Sequence, residues 1–242
     1  MTATSDLSSV GEPQGPPPRR LRVGEARTPL QLLRLVAATP SLRHAPRGDG
    51  GLVLDLPGWK APESSNLLMR TWLRRLGHDA RPWGLGTNRG TVEQDAERLA
   101  DRLRATPDQA PVALVGWSLG GTIAREVARA VPDRVSRVIT YGSPVVGGPT
   151  HTLGAGAFGP EECARITELA RRLDAEEPLR VPVTAIYTRR DGVVDWRACI
   201  DRSAADVTHV EVRSTHLGLG LDPDVWAAIA AALATPRPED VP

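Results

Sequence analysis

Lysine is almost missing from this chain. Lys60 is the only one among 242 residues, and arginine carries the rest of the basic charge. Acids balance it to a formal net charge of +1. Composition therefore gives no argument for nucleic acid or for an acidic membrane surface. Arginines such as those of Glu97-Arg98 and Asp101-Arg102 sit beside acids, as on solvated helix faces. Cysteine is scarce too. Cys163 and Cys199 lack metal-ligand spacing with histidine or with each other, so no metal site is expected. The default for two such residues is a pair of reduced thiols. No apolar run approaches the ~20 residues of a membrane span. The first twenty residues contain no apolar core of a secretory signal. These absences predict a cytoplasmic protein without an integral membrane segment.

What is present is ordinary globular material. The hydrophobic fraction of 40% and the length of 242 residues suit one α/β domain with a real core. Residues 1–27 are rich in Pro, Gly and Ser without hydrophobic periodicity, and read as a disordered tail. The domain is expected over 28–237. Thr28-Pro29 reads as a helix start, with a short apolar helix to Ala38. Short apolar runs then alternate with amphipathic stretches. Strands are expected at 52–56, 79–83, 111–115, 136–141, 182–187 and 208–212. Helices are expected at 66–76, 91–104, 121–131 and 224–234. About six strands alternating with helices argue for a mostly parallel sheet covered on both faces. An insertion interrupts the pattern at about 142–181. Its helix, 161–173, turns Ile166, Leu169 and Leu173 to one side, which suits either an acyl chain or plain packing.

The chemistry is concentrated in Gly116-Trp117-Ser118-Leu119-Gly120-Gly121. An apolar strand precedes it and an amphipathic helix follows. A sharp turn from strand to helix strains the backbone of its central residue and leaves room only for small neighbours. Such a turn raises a serine hydroxyl above the carboxyl ends of the strands. Ser118 is the expected nucleophile, and Trp117 is expected to pack beneath it. The glycine-rich loop at 84–90 lacks the lysine of a phosphate loop and the spacing of a dinucleotide fingerprint. No cofactor is expected.

LVLDLPGW, VALVGWSLGG, RVITYGSP, YTRRDGVVDW and STHLGLG follow one another in this chain. In that order they resemble the α/β-hydrolase superfamily, and within it the small lipases and esterases. The resemblance runs from about residue 50 to about 235. It implies an α/β-hydrolase fold with a small cap, and a base and an acid downstream of the serine in the order acid, then histidine. Of His151, His209 and His216, only His216 follows the last strand in a loop, where a base reaches over the sheet. Asp191, in the Asp-Gly turn after the fifth strand, is the expected acid. Asp195 is the fallback and is expected to cap a short helix. The resemblance also implies two backbone donors for a developing oxyanion, at Leu119 and at Trp59 or Gly58. The implied activity is hydrolysis of a small-molecule carboxylic ester through an acyl-enzyme. Thioester hydrolysis or acyl transfer would use the same residues, and a non-catalytic binding role on this fold is the remaining alternative.

Overall fold

The computed structural model describes residues 7, 10–106 and 108–236. Six strands form one sheet: β1 (Leu52–Leu56), β2 (Asp79–Pro82), β3 (Val112–Trp117), β4 (Val135–Tyr141), β5 (Val183–Tyr187) and β6 (Val207–Glu211). Their order is β2-β1-β3-β4-β5-β6, and every pairing is parallel. Parallel strands need crossovers, and helices supply them. These are α3 (Leu67–Arg75), α4 (Val92–Arg104), α5 (Leu119–Ala130) and α7 (Pro160–Glu176), while a 3-10 turn, Trp196–Cys199, lies between β5 and β6 and α8 (Pro223–Ala234) follows β6. The chain also holds α1 (Arg19–Gly24), α2 (Thr28–Leu42) and the one-turn α6 (Ala155–Phe158).

Two apolar clusters flank the sheet. One packs α4 and α5 on it through Leu99, Leu103, Ile123 and Val127. The other packs α2, α3 and α8 on the opposite face through Leu35, Met69, Leu73, Trp226 and Ile229. The inner strands β1, β3 and β5 are apolar along nearly their whole length because both faces are covered, whereas the edge strands β2 and β6 are more polar and less buried. A buried ion pair lies within the second layer. Asp55 of β1 accepts from Arg70 of α3 at 2.6 Å and from Asn66 at 2.9 Å. Burial pushes the Asp55 carboxyl up to about 6 despite these partners.

The strand order reverses between β1 and β3, since the chain runs outward to β2 and then returns. Open parallel sheets bind ligands at such a crevice, outside the carboxyl ends of the strands. Both segments singled out in the sequence end there. β3 runs into Ser118, and β1 runs into Pro57-Gly58-Trp59.

The N-terminal reading needs correction. Residues 10–27 are not a disordered tail but follow the domain surface and include α1 and a 3-10 turn, Glu25–Arg27. Leu7 and Val10 pack against a cluster containing Val194, Cys199 and Ile200. The sequence hides this because the contacts come from single side chains and backbone groups, which leave no periodic stripe. The remaining residues of that expected tail, 1–6 and 8–9, lie outside the described residues, as does the end of the expected domain at 237. The expected helix after Thr28 runs further, from Thr28 through Leu42 with Pro40 inside it. Thr28 is its first residue rather than a side-chain cap; its hydroxyl donates to the Glu25 carbonyl at 2.7 Å.

The insertion forms a cap of a 3-10 turn (Gly148–His151), α6 and α7. α7 extends three residues beyond the expected Leu173. Arg125 and Arg129 of α5 hold Asp174 at 2.9 and 2.8 Å, and Arg129 also donates to the Leu173 carbonyl at 2.9 Å. Arg125 pairs with Asp201 as well. These bonds fasten the cap's distal end to the helix that follows Ser118. Cys163 and Cys199 are buried free thiols.

Candidate active site

Ser118 sits at the tip of the turn with φ 51° and ψ −124°. Only one other non-glycine residue among those described, Lys60, has positive φ. A serine held there stores about 1–3 kcal/mol of strain, which the surrounding packing must sustain. The Ser118 N–H donates to the Tyr141 carbonyl at 2.9 Å, and the Ser118 carbonyl accepts from Gly121 at 3.0 Å. The glycines are explained by what stands beside them. A Cβ on Gly120 would lie 2.3 Å from the Leu56 carbonyl oxygen, and one on Gly121 would lie 2.0 Å from the Ser143 hydroxyl. Helix α5 begins at Leu119 and aims its positive end at the serine.

His216 brings Nε2 to 3.1 Å from the Ser118 Oγ. Its Nδ1 lies 2.7 Å from Asp191 Oδ2. Both His216 and Asp191 are buried. Asp191 Oδ1 is engaged separately, accepting from Val193 N–H at 2.8 Å and Val194 N–H at 2.7 Å. Oδ2 is thereby directed at the imidazole. With Nδ1–H donated to Asp191, Nε2 is left as an acceptor toward the serine hydroxyl. Burial works against a charged imidazole, but the carboxylates of Asp191 and Glu25 outweigh it, and the His216 pKa is raised above the ordinary histidine value.

The alternatives stand elsewhere. Asp195 caps the 3-10 turn Trp196–Cys199, accepting from Arg197 N–H at 3.1 Å, as the sequence anticipates. His209 lies within β6, and His151 accepts from the Gly15 N–H at 3.1 Å. Neither is hydrogen-bonded to Ser118 or Asp191.

Above Ser118 opens a cavity of about 460 Å³. Its floor holds Trp59, Trp117, Leu119 and His216, and its roof holds Phe158, Ile166, Leu169 and Leu173 of the cap. The apolar face of α7 therefore lines the cavity. Phe158 closes on Trp59 with ring centroids 5.5 Å apart. Trp117, expected to pack beneath the turn, has two neighbours of note. It supports Gly58 from beneath, yet also borders the cavity with its ring 5.8 Å from that of His216.

The backbone N–H groups of Trp59 and Leu119 donate to no protein acceptor among the described residues, and both residues line the cavity beside Ser118. The Trp59 loop is held by Asn88, which sequence reasoning passed over. Asn88 is wholly buried; its side-chain amide donates to the Pro57 carbonyl at 2.8 Å and its carbonyl accepts from Lys60 N–H at 2.7 Å. The glycine-rich loop that carries it is thus a brace for the strand-β1 turn. No group of metal-ligating side chains gathers among the described residues. No helix among them is long and apolar enough to cross a membrane.

The six-stranded parallel sheet, its helical layers and the turn that carries Ser118 make this an α/β-hydrolase fold. Solved structures agree at the level of fold. Aspergillus fumigatus lipase B matches with a TM-score of 0.60 at 22% identity, over 84% of this chain and 59% of that one. A Paenibacillus extracellular α/β-hydrolase matches with a TM-score of 0.53 at 15% identity, over 76% and 98%. The thioesterase domain from the curacin biosynthetic pathway matches at 0.54 and 14%, over 77% and 92%. In sequence, a thioesterase-domain family model matches residues 88–140, which include Ser118 but neither Asp191 nor His216. A pimeloyl-acyl-carrier-protein methyl ester esterase from Aliivibrio salmonicida is 40% identical over 65 residues, 27% of this chain and 24% of that protein.

Proposed function

We propose that the protein is a serine hydrolase cleaving carboxylic esters through an acyl-enzyme. The observation that carries this reading is the hydrogen-bonded series Ser118, His216, Asp191 beneath an apolar cavity. Ser118 Oγ attacks the ester carbonyl carbon while His216 Nε2 takes the hydroxyl proton. The carbonyl oxygen becomes an oxyanion that accepts from the Trp59 and Leu119 N–H groups. Asp191 stabilises the imidazolium without itself being protonated. The imidazolium returns the proton to the leaving alkoxide as the acyl–oxygen bond breaks. Water then attacks the acyl-enzyme, its proton passing to His216 and on to Ser118 Oγ as the acid leaves. The cavity roof suits an apolar acyl group. The partial likeness to a methyl ester esterase supports an ester substrate.

The thioesterase family match over 88–140 supports a second reading, in which the same acyl-enzyme forms from a thioester. Purified protein assayed in parallel on p-nitrophenyl esters and on acyl-thioesters of matched chain length separates the two by kcat/KM. Ser118→Ala is expected to abolish turnover of whichever is preferred. Full activity in that variant sinks both readings.

A further inference from the structure

Glu25 lies outside the segments that resemble a hydrolase, yet its carboxylate reaches the two loops that carry Asp191 and His216. Oε1 accepts from the Gly192 N–H at 2.8 Å and from the His216 N–H at 2.9 Å. Oε2 accepts from the Leu217 N–H at 3.0 Å. One side chain thus satisfies three backbone donors. The first follows Asp191 directly; the other two belong to His216 and its neighbour.

The surroundings are built around this contact. A Cβ on Gly192 would lie 2.5 Å from the Leu21 carbonyl oxygen of α1, so the acid loop and the N-terminal segment fit only with glycine there. Thr28 and Thr215 share a hydrogen bond at 2.9 Å, one residue before His216. Arg34 of α2 continues the seam with Asp222 at 2.8 Å. The His216 loop follows β6, an edge strand paired on one side only. It has little sheet of its own to fix it.

We propose that Glu25 is a positioning residue for the site: the N-terminal segment straps the Asp191 and His216 loops together, and its carboxylate adds negative charge behind the base. This rests on the proposed function for its catalytic meaning. Glu25 touches neither substrate nor reacting atom. It sets the distance between acid and base and the aim of Nε2 at Ser118. The charged groups that act on His216 are Asp191 and Glu25, and Glu25 shares its sign with Asp191.

Glu25→Ala and Glu25→Gln test the strap. Alanine removes all three acceptor contacts. Misplacement of a reacting group by about 1 Å can cost on the order of 10²-fold, so Glu25→Ala is expected to lose kcat on that scale with KM nearly unchanged. Glutamine keeps an oxygen for Gly192 and His216 but loses the charge. Its loss in kcat is expected to be smaller, and the acid limb of its kcat/KM profile is expected to move to lower pH, because an imidazolium without Glu25 behind it is less favoured. Thermal melts confirm that each variant is folded. A folded Glu25→Ala with wild-type kcat, or a Glu25→Gln with an unmoved acid limb, overturns the proposal. Should the wild-type protein turn over no ester or thioester, the proposed function fails separately, and the strap is then read from the NMR titration of the His216 ring. A lower ring pKa in Glu25→Gln supports the strap, and an unchanged one refutes it.

Discussion

Asp191→Asn is the most informative single change to the site, because the structure dictates how asparagine must sit. Asp191 Oδ1 accepts from the N–H groups of Val193 and Val194 at 2.8 and 2.7 Å. An asparagine keeps those bonds only by leaving its oxygen there. Flipping the amide would set its NH₂ against two further donors in a buried turn, at about 1–3 kcal/mol for each donor left unsatisfied. The NH₂ therefore faces His216 Nδ1, which must become an acceptor. The proton then resides on Nε2, pointing at Ser118 Oγ, and the ring can no longer take the hydroxyl proton. Loss of the correct tautomer in a serine triad costs about 10⁴-fold in kcat, or about 5 kcal/mol of transition-state stabilisation. Cavity and fold are untouched, so KM and the melting temperature are expected to stay near wild type. Steady-state hydrolysis of a p-nitrophenyl ester at saturating substrate measures the loss. Asp195→Asn is the control, since that carboxylate serves Arg197 N–H and Gln14 N–H instead. Asp191→Asn retaining activity within tenfold of wild type would refute the assignment of Asp191 as orienting acid.

The raised proton affinity of His216 predicts that kcat/KM climbs through an apparent pKa above the ordinary histidine value; an inflection below it contradicts this balance of burial and carboxylates. The same group adds stability that is fully present below the unfolded histidine pKa and is lost as pH rises through the folded one, so urea midpoints of wild type and His216→Ala should converge across that window. Ile166→Trp, which places bulk in the cavity roof, should depress hydrolysis of p-nitrophenyl octanoate roughly tenfold more than that of the acetate; an equal effect on both would mean the acyl group does not lie against α7. Arg70→Met leaves the buried Asp55 without its cation and is expected to cost about 3–5 kcal/mol in urea unfolding at neutral pH. Because the Asp55 pKa is raised from 3.8 to about 6, its favourable contribution is present below that interval and lost as pH rises through it, so the Arg70→Met defect should shrink in acid.

The sheet was legible because its inner strands are buried on both faces. Val112–Trp117 and Val183–Tyr187 are nearly uninterrupted apolar runs, and burial is what such runs report. Ser118 was legible because its turn excludes Cβ atoms on both sides, which forces glycine at 116, 120 and 121. Asp191 and His216 were reachable through their order along the chain and their places after β5 and β6. Their geometry supports that ordering, with Asp195 serving instead as a helix cap. Asn88 was hidden by its setting, since an asparagine between glycines has an ordinary explanation as a turn residue. Its buried amide declares itself only once the Pro57 carbonyl is seen beside it.

Glu25 was illegible for a deeper reason. Its three partners are backbone N–H groups, which every residue but proline possesses, at sequence separations of 167, 191 and 192. No residue type at the receiving end marks the contact except Gly192, which an Asp-Gly turn explains equally well. Yet the topology creates a need that such a contact meets. Ser118 follows β3, near the middle of the sheet, and is fixed by β1, β4 and α5 around it. His216 follows β6 at the sheet edge, and Asp191 follows its neighbour β5. Precision in the Ser118–His216 distance is therefore limited by the edge loops, where the sheet supplies least restraint. A segment that arrives from outside the sheet and binds both loops through one carboxylate restores that restraint. Accordingly, the N-terminal residues belong to the site by mechanics even though no periodicity assigns them to the domain.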